Sequence, residues 1–425
     1  VPTARGWLVG GIGLGVWVSG RIFGSQPLEQ VGFGLLALLL IALAVLRMGN
    51  HDLEVTRTLT PERVRVGNEV KAHIRVVNNG KGATPLLLLE DRLPAELSGR
   101  ARFAINGIET RGDRDAFYEV KPGRRGRYSV GPLRITFTDP FGLARITTRA
   151  AGASGFLAYP RGEKLALPRD TGYRKSLIAS ARRQPTGQQG EEFYTLRDYV
   201  EGDDLRRIHW PSTAKRARYM VRQEETPWHA KATILIDDRP AGYEGSAFDR
   251  AVEAATSVAE LYHRSGYAFR LVGATASGIH SGRGSEHWHL CLDMLAIVEP
   301  VGGPGNDDPM LGRLAELEST PNLEGTLVVV TGTLDSPAVR GLIRCARRYK
   351  NVICISLPAH RFSIGAGARP EAAANAEELS AVLERGGVRS IVLGAGDALA
   401  GAWAGLARRG AEGGDSSWDQ KREPA

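Results

Sequence analysis

A chain of 425 residues with 42% hydrophobic and 24% charged residues is long enough for two or three folded domains and too apolar to be disordered throughout. The net charge of +8 raises the question of a polyanion partner, but the basic residues are spread along the chain and arginine far outnumbers lysine, as GC-rich coding favours. No nucleic-acid-binding module accompanies the charge, so no nucleic-acid partner is expected, and three cysteines (Cys291, Cys345, Cys354) exclude a disulfide framework and fit a reducing compartment.

Residues 7–20 and 31–46 are uncharged apolar runs on either side of a break at Ser25-Gln26-Pro27. Each falls a little short of the roughly 20 residues a bilayer asks for, a gap that snorkelling flanks can close. A cleaved signal peptide would explain neither the second run nor the lack of a small-x-small cleavage site between the two. The pattern predicts a two-helix membrane anchor over residues 1–50. Gly6, Gly10, Gly11 and Gly15 supply small-xxx-small spacing for close backbone approach. Arg5 precedes the first run, and Arg47, Arg57, Arg63 and Arg65 follow the second, whereas the connection carries Arg21 offset by Glu29. The positive-inside rule then puts both ends and the soluble part in the cytoplasm.

From residue 51 the hydrophobic period changes to two. LEVTRTL and VKAHIRVV alternate, Asn78-Asn79-Gly80 signals a turn, and LLLLE, AFYEV and RYSVGPLRITFT read as further strands. Asp139-Pro140-Phe141-Gly142 has the composition of a type I turn. Short strands at this spacing predict a small β-sandwich over 51–160, and residues 161–189 read as a polar linker.

The stretch 190–230 is the most distinctive part of the chain. Within it, GEEFYTLRDYVEGDDLRRIHWPSTAKRARYMVRQEE packs charges of both signs too densely for dry core. Gly202-Asp203 reads as a turn and N-cap, Trp210-Pro211 as the end of the short helix that follows, Ser212 as a second N-cap, and Tyr219–Val221 as extended. Arg197, Asp198, Tyr199, Gly202, Asp203, Asp204, Arg206, His209, Trp210, Lys215 and Arg222 are the candidate site residues. They form either a structural ion-pair clamp or a docking face with Trp210 as its aromatic anchor. The run EEF-x-x-LRDY-x-x-GDDLRRIHW-x-x-x-AKR-x-x-x-MVR resembles the signature of the family known as domain of unknown function 58. The resemblance extends from Leu53 to about Gly394. It implies a membrane hairpin, a β-rich segment and a von Willebrand factor A-like α/β domain. It also implies partners: a MoxR-type AAA+ ATPase and, in some cases, a transglutaminase-like membrane protein.

Over 231–395, apolar runs such as KATILID, GTLVVVTG and NVICISLP alternate with amphipathic helical stretches such as AFDRAVEAATSVAELYHRSG. Such runs predict a mostly parallel, Rossmann-like sheet covered on both faces, and Cys354 falls inside one of them as plain core. Residues 396–425 read as a C-terminal helix and a disordered tail, polar from Arg409 onward. Ligands of open α/β sheets gather at the carboxyl ends of the strands. The resemblance implies a metal there, held by Asp-x-Ser-x-Ser. In this chain Asp237-Asp238-Arg239-Pro240-Ala241 keeps the first carboxylate and replaces both hydroxyl positions. Asp237 and Asp238 are thus read as a degenerate metal site, with an Asp237–Arg239 ion pair as substitute for the cation.

His287, His289 and Cys291 would share one face of a strand, but EHWHLCLDMLAI has better helical character, which scatters the three. The chain lacks a P-loop, a G-x-G-x-x-G turn and a G-x-S-x-G elbow. No cofactor and no catalytic residues are expected. The reading is a membrane-tethered, cytoplasmic, non-enzymatic interaction or adaptor protein. Two alternatives stand beside it: a metal-dependent ligand binder or hydrolase-like enzyme using the Asp237–Asp238 end of the sheet, and a basic lipid or nucleic-acid binder.

Overall fold

A computed structural model describes residues 1–48, 52–167, 194–198, 208, 210–216, 218–224, 231–275, 277–302, 308–319, 325–362 and 370–412. These fall into two compact units, residues 1–161 with 292–297, and residues 162–291 with 298–425.

The first unit opens with α1 (Ala4–Phe23) and α2 (Gln26–Met48), both longer than the uncharged runs alone suggest, so that Arg5 lies inside α1. Both helices are long and apolar enough to cross a membrane. Their contact seam runs through Gly6, Gly13 and Gly20, at a spacing of seven. A Cβ on Gly13 would lie 3.3 Å from the Gly32 carbonyl oxygen, and one on Gly20 would lie 2.6 Å from the Glu29 nitrogen. Gly10 meets only the Leu39 side chain, and Gly11 and Gly15 face open space, so two of the four glycines expected at the seam are not on it. A seven-residue repeat holds one face toward its partner, whereas a four-residue step drifts around the helix.

Eleven strands follow: β1 (Leu53–Thr60), β2 (Arg63–Arg65), β3 (Val70–Asn78), β4 (Leu87–Asp91), β5 (Leu97–Gly99), β6 (Arg102–Ile105), β7 (Asp113–Pro122), β8 (Gly126–Val130), β9 (Leu133–Thr138), β10 (Arg145–Ala151) and β11 (Ser154–Tyr159). They build two four-stranded antiparallel sheets, β1-β3-β7-β5 and β10-β9-β4-β6, and a mixed sheet β2-β11-β8. Strict alternation in β3, with Val70, Ala72, Ile74 and Val76 all fully buried, shows why a period of two marks these strands. The run RYSVGPLRITFT is not one strand. It breaks at Gly131-Pro132, where Gly131 takes φ +113° and Pro132 has no N–H for a ladder, and its halves join different sheets.

In the second unit β12 (Tyr194–Asp198) pairs antiparallel with β13 (Met220–Glu224), and the short α3 (Trp210–Arg216) lies between them in sequence. The α/β part contains β14 (Lys231–Ile236), α4 (Ala247–Arg264), β15 (Ala268–Gly273), β16 (Ile279–Gly282), α5 (Gly284–Ile297, of which residues 292–297 belong to the first unit), α6 (Pro309–Ser319), β17 (Gly325–Thr331), α7 (Ser336–Ala346), β18 (Asn351–Ser356), α8 (Pro370–Arg385), β19 (Val388–Val392) and α9 (Leu399–Glu412). Six strands form one sheet in the order β16-β15-β14-β17-β18-β19, parallel except for the antiparallel edge strand β16, which the sequence pattern did not announce. Leu235, Val329 and Cys354 share a core with Met310 and Leu314 of α6 and Leu342 of α7. Their neighbours Ile234 and Val328 are equally buried, and α4 packs against β14, β15 and β17. Both faces are thus covered, as unbroken apolar strands require. The chain crosses from β14 to β15 on one side and from β15 and β16 to β17 on the other. The order therefore reverses between β14 and β17, which is the position where open sheets bind ligands. The helix α9 continues to Glu412, past the start of the expected tail, and residues 413–425 lie outside the described residues.

Candidate functional site

At that reversal the chain leaves β14 as Asp237-Asp238-Arg239. The Asp237 carboxylate is fully buried and accepts four hydrogen bonds. Its Oδ1 receives the Arg239 backbone N–H at 3.1 Å and Arg239 Nε at 2.8 Å; its Oδ2 receives Arg239 Nη2 at 2.8 Å and the Thr331 hydroxyl at 2.7 Å. Two donors on each oxygen fill the lone-pair positions of a carboxylate. Arg239 also donates through Nη1 to Asp308 Oδ2 at 2.6 Å, and the other Asp308 oxygen accepts the Met310 N–H at the start of α6. Hydrogen bonding to Asp237, opposed by burial but helped by the charges of Asp237, Asp308 and Asp335, raises the Arg239 pKa further above its already high value.

The walls of the site are closed as well. Tyr243 donates its hydroxyl to the Asp237 carbonyl at 2.7 Å, and burial, reinforced by the Asp237 charge, holds the phenol far from ionisation. Asp238 is fully buried and accepts the Thr275 N–H at 2.7 Å, while its carbonyl accepts Val301 N–H at 2.8 Å. A Cβ on Gly332 would fall 2.1 Å from the Gly242 carbonyl oxygen, so only glycine lets the loops after β14 and β17 meet; there Thr333 N–H donates to Gly242 at 2.8 Å. Burial, with Asp237 nearby, pushes the Cys354 thiol up to about 12, so it is no nucleophile at neutral pH.

The Asp237–Arg239 ion pair, anticipated from Asp-x-Arg, is present as a bidentate pair. Asp237 does not fit a divalent metal, because both of its carboxylate oxygens already accept two hydrogen bonds each from Arg239 and Thr331. Among the described residues no group of three or more His, Cys, Asp and Glu side chains could hold a metal. The chemistry of this site is charge neutralisation and bracing of two loops and a helix start. Asp308 and Thr331 could not be paired with Asp237 from sequence. Only the Asp308-Pro309 helix start carried a signal for one of them.

The signature residues divide into three groups. Tyr199, Gly202, Asp203, Asp204, Arg206 and His209 lie outside the described residues. Arg197 and Asp198 stand on β12 opposite Val221 and Met220, and Arg222 stands on β13 opposite Leu196. Trp210 and Lys215 lie on α3. Here one expectation is corrected: Trp210-Pro211 opens a helix, and Ser212 lies inside it rather than capping a second, while the short helix expected between Asp203 and Trp210 lies outside the described residues. Proline belongs in a first helical turn, where its missing N–H and fixed φ cost nothing. Tyr219 onward is extended as expected, and buried Met220 donates its N–H to Thr213 Oγ1 at 3.0 Å, tying β13 to α3. The Trp210 and Tyr219 rings meet edge to face at 6.5 Å and remain 63% and 57% exposed. Lys215 and Arg218 are exposed beside them in the chain.

EHWHLCLDMLAI is helical, as α5, with Trp288, Leu292 and Leu295 buried. The helix does not scatter all three of its candidate ligands. His287 and Cys291, four apart, meet at 3.6 Å, and only His289 points elsewhere, exposed. Burial raises the Cys291 thiol to about 12 and lowers the His287 imidazole below its ordinary value, which marks a neutral packed pair.

Comparison with known proteins agrees with the signature. The family model described as "Protein of unknown function DUF58" matches residues 195–361, which include α3, the β14 end and Thr331. An uncharacterised protein of Bacillus subtilis, YeaD, is 23% identical over 221 residues, 51% of this chain and 53% of that protein; the chain thus spans about half the length of the curated relative it matches. Among solved structures, the CARDB domain of the PF1109 protein from Pyrococcus furiosus is 15% identical, covering 25% of this chain and 91% of its own, with a TM-score of 0.19. A cohesin module from a Clostridium perfringens family 33 glycoside hydrolase is 15% identical, covering 26% and 96%, with a TM-score of 0.17. Scores this low carry no fold assignment.

Proposed function

We propose, for a chain that belongs to the DUF58 family of proteins of unknown function, a membrane-tethered interaction protein without enzymatic activity. Its parts are a two-helix anchor, a β-sandwich and a von Willebrand A-like head whose cation position is filled by its own Arg239. The exposed Trp210–Tyr219 pair is the observation that carries this reading. It is an exposed aromatic pair, flanked in the chain by Lys215 and Arg218, within the stretch the family model matches. Trp and Tyr are enriched among the hot spots of protein interfaces. The saturated Asp237 carboxylate speaks against the metal-dependent alternative.

A MoxR-type AAA+ ATPase is the partner the family resemblance favours, with a transglutaminase-like membrane protein as a second. Arg5 and Arg47, at the two hairpin ends that lead into the β-unit, favour a cytoplasmic location for the soluble part. The test is affinity capture from gently solubilised membranes. Trp210→Ala should weaken capture of the AAA+ ATPase by about thirty-fold or more, equivalent to about 2 kcal/mol, while leaving the denaturant midpoint of the chain unchanged. Undiminished capture by this variant would remove the docking role.

A further inference from the structure

We propose that the Asp139–Gly142 turn is a second membrane contact, with the Phe141 ring seated at the headgroup–acyl boundary of the bilayer. The proposal rests on reading α1 and α2 as a membrane hairpin. At 1.5 Å per residue, the 20 residues of α1 span about 30 Å, and a bilayer's hydrocarbon core is about 30 Å thick. The hairpin has no length to spare. Whatever lies level with the start of α1 therefore lies at the membrane surface.

The Asp139–Gly142 turn and its neighbours lie at that level. Thr3, the N-cap of α1, donates its N–H to the Leu143 carbonyl at 2.8 Å and its hydroxyl to the Gly142 carbonyl at 2.6 Å. Gly6 backs so closely on the Leu143 carbonyl that a Cβ there would overlap it at 2.0 Å. From the other helix, Ala42 and Leu46 share a buried cluster with Leu143 and Ala144. The turn itself is rigid. Asp139 is buried, its carboxylate accepts the N–H groups of Phe141 at 3.0 Å and Ala144 at 2.6 Å, and its carbonyl accepts that of Gly142 at 2.9 Å. Phe141, at the third turn position, is left 65% exposed.

A lone exposed phenylalanine is ordinary on a soluble surface. Phe117, on the same unit, is such a case, and its ring lies flat on His73 at 4.6 Å. Phe141 differs in being held beside the end of an apolar helix pair, with Trp7 exposed one turn further along α1. Aromatic rings at that depth, amid the exposed guanidinium groups of Arg5, Arg47 and Arg145, match the layered chemistry of a phospholipid surface.

The test uses the full chain in phospholipid nanodiscs, with an environment-sensitive fluorophore on one introduced cysteine at a time. The three native cysteines are buried, which leaves the introduced thiol as the reactive one. Phe141→Cys should be quenched several-fold more strongly than Phe117→Cys by lipids brominated near the headgroup. Leu14→Cys, exposed midway along α1, should respond to lipids brominated deep in the acyl chain. If Leu14→Cys is quenched and Phe141→Cys is quenched no more than Phe117→Cys, the turn contact is wrong and the anchor stands. If Leu14→Cys escapes quenching, the anchor is wrong and the turn contact falls with it.

Discussion

Two buried arginine–aspartate pairs, one in each unit, use the same chemistry for different ends. In the β-unit, Arg57 Nη1 reaches both oxygens of Asp91 at 2.7 Å, with the two side chains 1% and 0% exposed. The pair is a staple. Arg57 sits on β1 and Asp91 on β4; Tyr118 of β7 donates to Asp91 at 2.6 Å; and Arg57 also binds Ser154 of β11 and the Gly152 carbonyl. One ion pair thus ties together all three sheets. Asp237 and Arg239 are also tightly paired, but they are neighbours in sequence, the arginine keeps 16% exposure, and the pair stands where a parallel sheet exposes its ligand position. The lesson is that burial alone does not distinguish a staple from a site. What does is whether the partners come from distant strands or from one loop at the strand ends.

The largest expected effect is on the staple. Asp91→Ala would leave the Arg57 guanidinium enclosed without its countercharge, at a cost of about 3–5 kcal/mol. Urea midpoints of the wild-type and variant chains measure this directly. A loss below about 1 kcal/mol would mean water reaches Arg57 and the staple contributes little.

The second test removes the feature that separates the two pairs. In Arg239→Ser/Ala241→Ser the hydroxyls of the Asp-x-Ser-x-Ser pattern are restored and the resident guanidinium is gone. Mg²⁺ at 100 times its dissociation constant should then stabilise the variant by about 2.7 kcal/mol, read as a rise in melting temperature, and leave the wild-type chain unmoved. A Mg²⁺-dependent rise in the wild-type chain would show that Arg239 does not hold the cation position.

How much of this was legible depended on how local each interaction is. Arg239 is two residues from Asp237, so their ion pair could be read from three letters. Thr331 is 94 residues away from Asp237, and Asp308 is 69 from Arg239, joined only through the crossing order of the strands. The hairpin and the α/β alternation were legible because each is a matter of hydrophobic period. Periodicity does not say which glycines of a glycine-rich helix face the neighbour, and Gly11 and Gly15 were placed on the wrong side. Trp210-Pro211 misled for a related reason: a residue before proline leans away from helix, yet proline is also the residue most at home in a first helical turn. Asp139-Pro140-Phe141-Gly142 was readable outright, because the turn is made by its own four residues.

A third arginine–carboxylate pair extends the comparison to a more open setting and has the smallest expected effect. Glu163 Oε1 meets Arg250 Nη2 at 2.5 Å, its Oε2 accepts the Ala400 N–H at the start of α9 at 2.8 Å, and its side chain is 27% exposed. Burial pushes this carboxyl up, but the Ala400 N–H, Arg250 and the Leu399 N–H together overcome it and leave the pKa below the usual 4.5. A depressed folded-state pKa contributes stability that is present above the unfolded value and lost as pH falls through the folded one. The wild-type chain should therefore lead Glu163→Gln in urea midpoint at neutral pH. The lead should hold down to about pH 4.5 and close at lower pH, as the wild-type carboxyl takes up its proton. Closure needs only the charge to matter, because glutamine keeps an acceptor for the Ala400 N–H. A lead of constant size across that range would assign the contribution of Glu163 to shape and hydrogen bonding instead, and would place it nearer in kind to the Asp91 staple than to a titrating surface pair.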